Sequence, residues 1–192
     1  MYKLKKEVKP LIFDEKPIAT QLKFSGIIIN VRQDVVTLNN DSMTTYREVV
    51  EHPGGVCIAA VTDEDKFLLV EQFRYAQKQT TLEFVAGKKE LNEDQEITAL
   101  RELEEETGYV AQNIEFIGEV YPSPAYLDEK ISLYFAKDLI RTKQNLDHGE
   151  FLRVVELSLD DILHRIVANE IKDLKTIALA YEMQRRLLNG KI

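Results

Sequence analysis

Apolar residues in this chain fall into short runs divided by polar turns, with three longer stretches of helical period. Val56 to Val61 is continuously apolar, which suits a strand covered on both faces. Thr62-Asp63-Glu64-Asp65-Lys66 then reads as a polar hairpin turn, with Phe67 to Phe73 as the strand that follows it. Leu82 to Val85, Ile114 to Tyr121, Ile131 to Ala136 and Phe151 to Leu157 are further strand-like runs. Helical period appears over 94–107, 159–168 and 173–188. In the first, Ile97, Leu100 and Leu103 recur without an intervening Pro or Gly. Asn92 and Asp94 are candidate caps, and Gly108 is the stop. In the last, Leu174, Ile177, Ala178, Tyr181 and Leu188 form the expected apolar stripe. Strands flanked by helices on both sides predict an α/β fold, an α/β/α sandwich with a mixed sheet.

Residues 1–45 have a different texture. Phe24 to Asn30 and Asp34 to Leu38 are β-rich, separated by Val31-Arg32-Gln33, and Asn39-Asn40-Asp41-Ser42 is a turn cluster. An antiparallel sheet this small cannot bury a core of its own. It must pack on the main domain, expected over 46–192, or on a second chain.

Composition narrows the partners. The chain has 192 residues, 44% of them hydrophobic, enough for one globular domain and a small appendage. A net charge of −8 argues against nucleic acid, whose binding needs clustered Lys and Arg. An acidic protein acting on an anion needs local positive charge, from a metal or from placed arginines. Cys57 is the lone cysteine, so no internal disulfide forms, which suits a reducing compartment. Met1 to Pro10 is too polar for a signal peptide, and no run approaches a membrane span. A cytoplasmic protein is expected.

Chemistry concentrates between Gly87 and Tyr109, where Glu90, Glu93, Asp94, Glu96, Glu102, Glu104, Glu105 and Glu106 fall together. On a helix Glu102, Glu105 and Glu106 share one face, where like charges repel by a few tenths of a kcal/mol per pair. Arg101 can relieve only part of that. Such hard oxygen ligands suit Mg²⁺ or Mn²⁺, which would turn repulsion into coordination. A solvated acidic face is the plainer explanation for a Glu-rich helix, but the fixed glycine frame argues against it.

Gly87, Glu93, Arg101, Glu102, Leu103, Glu105, Glu106, Gly108 and Tyr109 occupy all nine constrained positions of the Nudix hydrolase box, which the chain therefore resembles. The resemblance implies a Nudix fold and hydrolysis of a diphosphate linked to another moiety. It implies metal ligation by Glu102, Glu106 and the Ala86 carbonyl, with Glu105 beside them, and a Glu93–Arg101 pair holding loop to helix. Asn92 stands where many members have glycine; asparagine tolerates a left-handed backbone, so the loop should survive.

Outside the box the chain resembles the ADP-ribose pyrophosphatases over roughly residues 44 to 185. The shared stretches include Arg47-Glu48-Val49, Gln72 to Tyr75, Glu83, Tyr121 to Ala125 and Glu170 to Thr176. By this resemblance Arg47 and Arg74 grip phosphates and ribose, and Glu83 binds sugar or metal. Phe24 and Tyr75 are candidates to stack on adenine, and Pro124 marks ADP-ribose preference. A homodimer built through the N-terminal sheet is also implied. The implied reaction is metal-dependent cleavage of ADP-ribose to AMP and ribose 5-phosphate. GDP-mannose hydrolysis and a non-hydrolytic ADP-ribose sensor are the alternatives.

The general base is open. In related pyrophosphatases a loop glutamate before the last strand takes the water's proton. Here that loop reads Leu146-Asp147-His148-Gly149-Glu150-Phe151, and His148 stands where many members carry the glutamate. Glu150, then His148, then Glu105 are the candidates; imidazole is the side chain whose charge changes near neutral pH.

Overall fold

The computed structural model describes residues 14–38 and 43–191, and contacts divide the chain into the units Met1–His52 and Pro53–Ile192. The turn expected over Asn39 to Ser42 and the segment Met1 to Pro10 lie outside the described residues.

The first unit is an antiparallel sheet of β1 (Glu15–Ser25), β2 (Asn30–Leu38) and β3 (Met43–Glu51) in that order. The break between its first two strands falls at Gly26, not at the expected Val31-Arg32-Gln33. Gly26 N–H donates to the Ile29 carbonyl (2.9 Å), and the Ser25 hydroxyl donates to Asn30 Oδ1 (2.9 Å), so local polar groups fix the turn. A Cβ at Gly26 would come within 2.8 Å of the Phe24 ring. Every residue of β1 is exposed, including the large apolar Ile18, Leu22 and Phe24.

The second unit is built on a six-stranded mixed sheet. Its strands are β4 (Gly55–Ala60), β5 (Phe67–Arg74), β6 (Gln79–Lys88), β7 (Tyr109–Val120), β8 (Ile131–Arg141) and β9 (Leu152–Leu157). They lie in the order β7-β8-β4-β6-β5-β9; β4 and β8 are parallel and the other neighbours antiparallel. Helix α1 (Gln95–Thr107) covers one face; α2 (Leu159–Val167) and α3 (Leu174–Leu188) cover the other.

The continuous apolar runs explain this arrangement, because successive side chains of a central strand point to opposite faces. Val56, Ile58 and Ala60 of β4 pack with Ala99 and Leu103 of α1. Cys57 and Ala59 pack with Ile162 of α2 and with Leu179, Ala180 and Met183 of α3. All of these are fully or almost fully buried.

The helix stripes differ from expectation. Helix α3 buries Thr176, Leu179, Ala180 and Met183, whereas Leu174, Tyr181 and Leu188 are largely exposed. The cause is polar: Phe84 N–H donates to Thr176 Oγ1 (2.9 Å), and Asp173 caps Thr176 N–H (3.0 Å). Those bonds turn the Thr176 face inward. In α1, Ile97 is likewise exposed while Thr98 and Ala99 are buried, Thr98 Oγ1 being held by Glu93 at 2.8 Å.

Candidate active site

The site is assembled where the end of β6 passes the middle of α1. Asp94 caps the helix by accepting from Glu96 N–H (2.9 Å), and Gly108 ends it in a left-handed conformation (φ 71°). The approach loop closes on the helix through one arginine. Arg101 Nε and Nη2 donate to Glu93 at 2.9 and 3.0 Å, and Nη2 also donates to the Lys88 carbonyl (3.2 Å). These bonds, Arg101's first among them, hold the Glu93 carboxyl down at about 2. Asn92 adopts φ 62° within the loop, the backbone that asparagine tolerates.

Arg101 Nη1 donates to both Glu102 Oε1 and Glu105 Oε2, each at 2.8 Å. One guanidinium thus fixes the loop and two of the three acidic side chains. Glu106 is different. It is buried (2% exposed), and the Ala86 N–H reaches its Oε2 at 3.3 Å. Burial, then the charges of Glu102 and Glu150, push its carboxyl up to about 8. Burial also raises Glu102, outweighing the Arg101 charge beside it.

Gly87 shows how tightly this is packed. A Cβ there would lie 1.8 Å from Glu102 Cδ, so the glycine is required by the carboxylate beside it and not by backbone torsion.

The loop that follows β8 is fastened to the C-terminal end of α1. Thr142 N–H donates to Gly108 O (2.7 Å), Gln144 Nε2 to Glu106 O (2.6 Å) and Asn145 N–H to Glu105 O (3.0 Å). Beyond it, Glu150 N–H donates to Asp147 O (3.0 Å) across a turn containing His148 and Gly149. Glu150 is half-buried and its charge acts on Glu102 and Glu106; His148 is exposed in the turn.

Two carboxylates and the neighbouring Ala86 carbonyl are hard oxygen donors, and the raised Glu106 marks negative charge without enough compensation. Both features fit a divalent cation. Among the described residues no three His, Cys, Asp or Glu side chains are grouped as a metal site.

Arg74, Glu83 and Pro124 belong to the same unit. Arg74 closes β5 and donates from Nε (2.8 Å) and Nη2 (2.7 Å) to the two Glu83 oxygens. Pro124 is exposed in a turn held by Leu127 N–H donating to Ser123 O (3.0 Å). Arg47 and Phe24 lie in the N-terminal unit, where Arg47 is paired with Glu15 (2.6 Å) and Phe24 is 55% exposed. Gln144 and Lys175 had no site role in the sequence, and Gly87 entered only as a fixed position of the box. Lys175 was legible only as part of a shared stretch, and Gln144 carried no signal at all.

A carboxylate helix locked to a loop by one arginine, on a mixed sheet between helical layers, defines a Nudix-type hydrolase site. Residues 51–177 match the NUDIX domain, and the chain belongs to the Nudix family. It is a pyrophosphohydrolase of the kind represented by its ADP-ribose pyrophosphatase relatives.

The chain is 43% identical to the ADP-ribose pyrophosphatase of Bacillus subtilis, over 89% of this chain and 91% of that one. It is also 43% identical to the methanol dehydrogenase activator of Bacillus methanolicus, over 94% and 98%. A GDP-mannose pyrophosphatase from Citrobacter koseri is 30% identical over 80% and 85%. The crystal structure of an ADP compounds hydrolase shares the fold, with a TM-score of 0.80 at 18% identity over 93% and 97% of the chains. Among the described residues no helix is long and apolar enough to cross a membrane.

Proposed function

We propose that this chain hydrolyses the pyrophosphate bond of ADP-ribose to AMP and ribose 5-phosphate, using Mg²⁺ or Mn²⁺. The observation that carries the proposal is the buried, raised Glu106 beside Glu102, with the Glu150 charge acting on both. Glu102, Glu106 and the Ala86 carbonyl are the proposed ligands. When bound, the ions supply Lewis acidity to the diphosphate and to the attacking water.

The chain's own residues do the rest. Arg101 holds Glu102 and Glu105 in place. Arg74 offers its guanidinium to the diphosphate, and arginine's planar fork suits phosphate oxygens. Glu150 accepts the proton of the attacking water at a carboxylate oxygen, since its charge already reaches the pair. His148 is the alternative base. Arg47 and Phe24 keep the phosphate and adenine roles that the resemblance implies, and Pro124 the ADP-ribose preference. Arg47 would exchange Glu15 for phosphate.

The substrate assignment draws on the Bacillus subtilis relative. GDP-mannose is the second reading, supported by the Citrobacter relative. The protein is further proposed to be cytoplasmic, as its lone cysteine suggests, and a homodimer, since β1 exposes Ile18, Leu22 and Phe24 along its length.

Product analysis with Mg²⁺ tests the reaction, using ADP-ribose, GDP-mannose, NADH and diadenosine polyphosphate beside Glu106→Gln. AMP released fastest from ADP-ribose, and lost in the variant, is expected. Preference for GDP-mannose moves the assignment to the second reading. Binding of ADP-ribose without cleavage of any substrate overturns the enzymatic proposal. A methanol dehydrogenase assay with and without the protein tests the function named for the Bacillus methanolicus relative, and light scattering tests the dimer.

A further inference from the structure

A buried ionic network lies behind Arg74, and it reaches the start of α3. Glu83 is only 2% exposed, yet it accepts four hydrogen bonds. Two come from Arg74, one from the Thr81 hydroxyl (2.6 Å) and one from Lys175 Nζ (2.5 Å). Lys175 in turn donates to Asp173 Oδ1 at 2.8 Å, and Asp173 is the cap of α3. Burial opposes charge on both Glu83 and Lys175. The Arg74 bonds and the Lys175 charge nevertheless keep Glu83 ionised, and the Asp173 charge keeps Lys175 protonated.

Exposure is graded along this chain of charges. The Glu83 side chain is 3% exposed, that of Lys175 13%, and that of Arg74 39%. The buried end is fixed from three elements, β5, β6 and α3. The open end is the guanidinium, whose Nη1 stays out of the pairing with Glu83. Removing Lys175 would leave Glu83 held by Arg74 and Thr81 alone, with no anchor on the α3 side. The arginine's aim would loosen with it.

We propose that Lys175 is a positioning residue for substrate binding: by fixing Glu83 from the α3 side, it orients Arg74 toward the diphosphate. This rests on the proposed phosphate contact of Arg74. Glu83 is accordingly assigned to the arginine and not to a sugar or a metal.

The test is steady-state hydrolysis of ADP-ribose with Mg²⁺, with calorimetric ADP-ribose binding beside it. Lys175→Met keeps the aliphatic stem and removes the charge. A rise in KM of about tenfold, with kcat within about threefold, is expected, because lost ground-state positioning appears in KM. Arg74→Ala should raise KM at least as much, and adding Lys175→Met to it should change little further. Lys175→Arg should recover part of the loss.

If Arg74→Ala leaves both KM and binding unchanged, the phosphate contact itself is wrong. If Arg74→Ala weakens binding while Lys175→Met does not, the positioning role is wrong. A fall in kcat that merely follows a smaller folded fraction, with KM constant, also overturns it by making Lys175 structural only. Should Lys175→Met fail to fold, Asp173→Asn asks the same question from the other side of the ammonium group.

Discussion

Glu106→Gln should make the metal-free protein more stable at alkaline pH while abolishing hydrolysis. Glu106 is 2% exposed, and its carboxyl is raised from the ordinary 4.5 to about 8 by burial and by the charges of Glu102 and Glu150. The folded state therefore holds this proton more tightly than the unfolded state does. Stability from that proton is complete below pH 4.5 and is lost as pH rises through about 8. Each pH unit across the window costs about 1.4 kcal/mol, so relative to acidic pH the loss is about 3 kcal/mol near pH 7, where the folded state still holds the proton, and about 5 kcal/mol above pH 8, where the buried side chain ionises.

Glutamine keeps the size and can still accept from the Ala86 N–H, but its buried amide costs roughly 1–2 kcal/mol. A net gain of about 3 kcal/mol remains above pH 8, or about 6–12 °C in Tm for a chain of this length. Urea unfolding in EDTA, at about pH 5 and about pH 8.5, measures the difference. The gap should open between the two conditions, and Mg²⁺ should narrow it by stabilising the wild type alone. A wild type at least as stable as the variant at pH 8.5, or a gap that ignores pH, would refute the claim that Glu106 carries uncompensated charge.

Three further outcomes are expected. Glu83→Gln should destabilise by about 3 kcal/mol at neutral pH, because the Arg74 and Lys175 contacts hold this carboxyl at about 2 against an ordinary 4.5. That stability is present above pH 4.5 and lost as pH falls toward 2, so urea midpoints of variant and wild type should converge on acidification. Gly87→Ala should cut hydrolysis by about a hundredfold by driving Glu102 aside, with a circular dichroism spectrum like that of the wild type. Gly108→Ala places a side chain at φ 71° with its Cβ 2.7 Å from Gln144 N. It should cost at least about 1–2 kcal/mol in thermal unfolding, and turnover should fall as the loop carrying Glu150 shifts.

The runs of β4, β5, β6 and β8 were legible because strands inside the sheet are apolar where they are covered on both faces, and the run over β9, at the sheet edge, was legible from its β-branched residues. Asp94 and Gly108 were legible as caps from residue type alone. Which helix face turns inward was not. Hydrophobicity favoured Leu174 and Tyr181, but the Thr176 bond to the Phe84 backbone spans the sheet–helix interface and leaves no trace in local period. The Arg101–Glu93 clasp was implied by the resemblance to the box, whereas Lys175 could not be joined to Glu83 without the fold, since 92 residues separate them. The base stayed open in the sequence, which offers both carboxylate and imidazole; the Glu150 charge that Glu102 and Glu106 feel is the reason for proposing Glu150 first.

Four of the acidic side chains around this site divide by how their charge is met. Glu93 and Glu83 are each clasped by an arginine through two nitrogens, and both are held at about 2. Glu102 and Glu106 are raised, although Glu102 touches the same Arg101 that depresses Glu93. A fold optimised for stability alone would not leave a buried Glu106 and a part-buried Glu102 short of cation beside a third negative group, since buried charge without enough compensation costs several kcal/mol. Proteins retain such sites where the missing charge arrives with a ligand. Arginine neutralises the carboxylates that hold the site's shape, and the raised pair is where we propose that a metal cation binds.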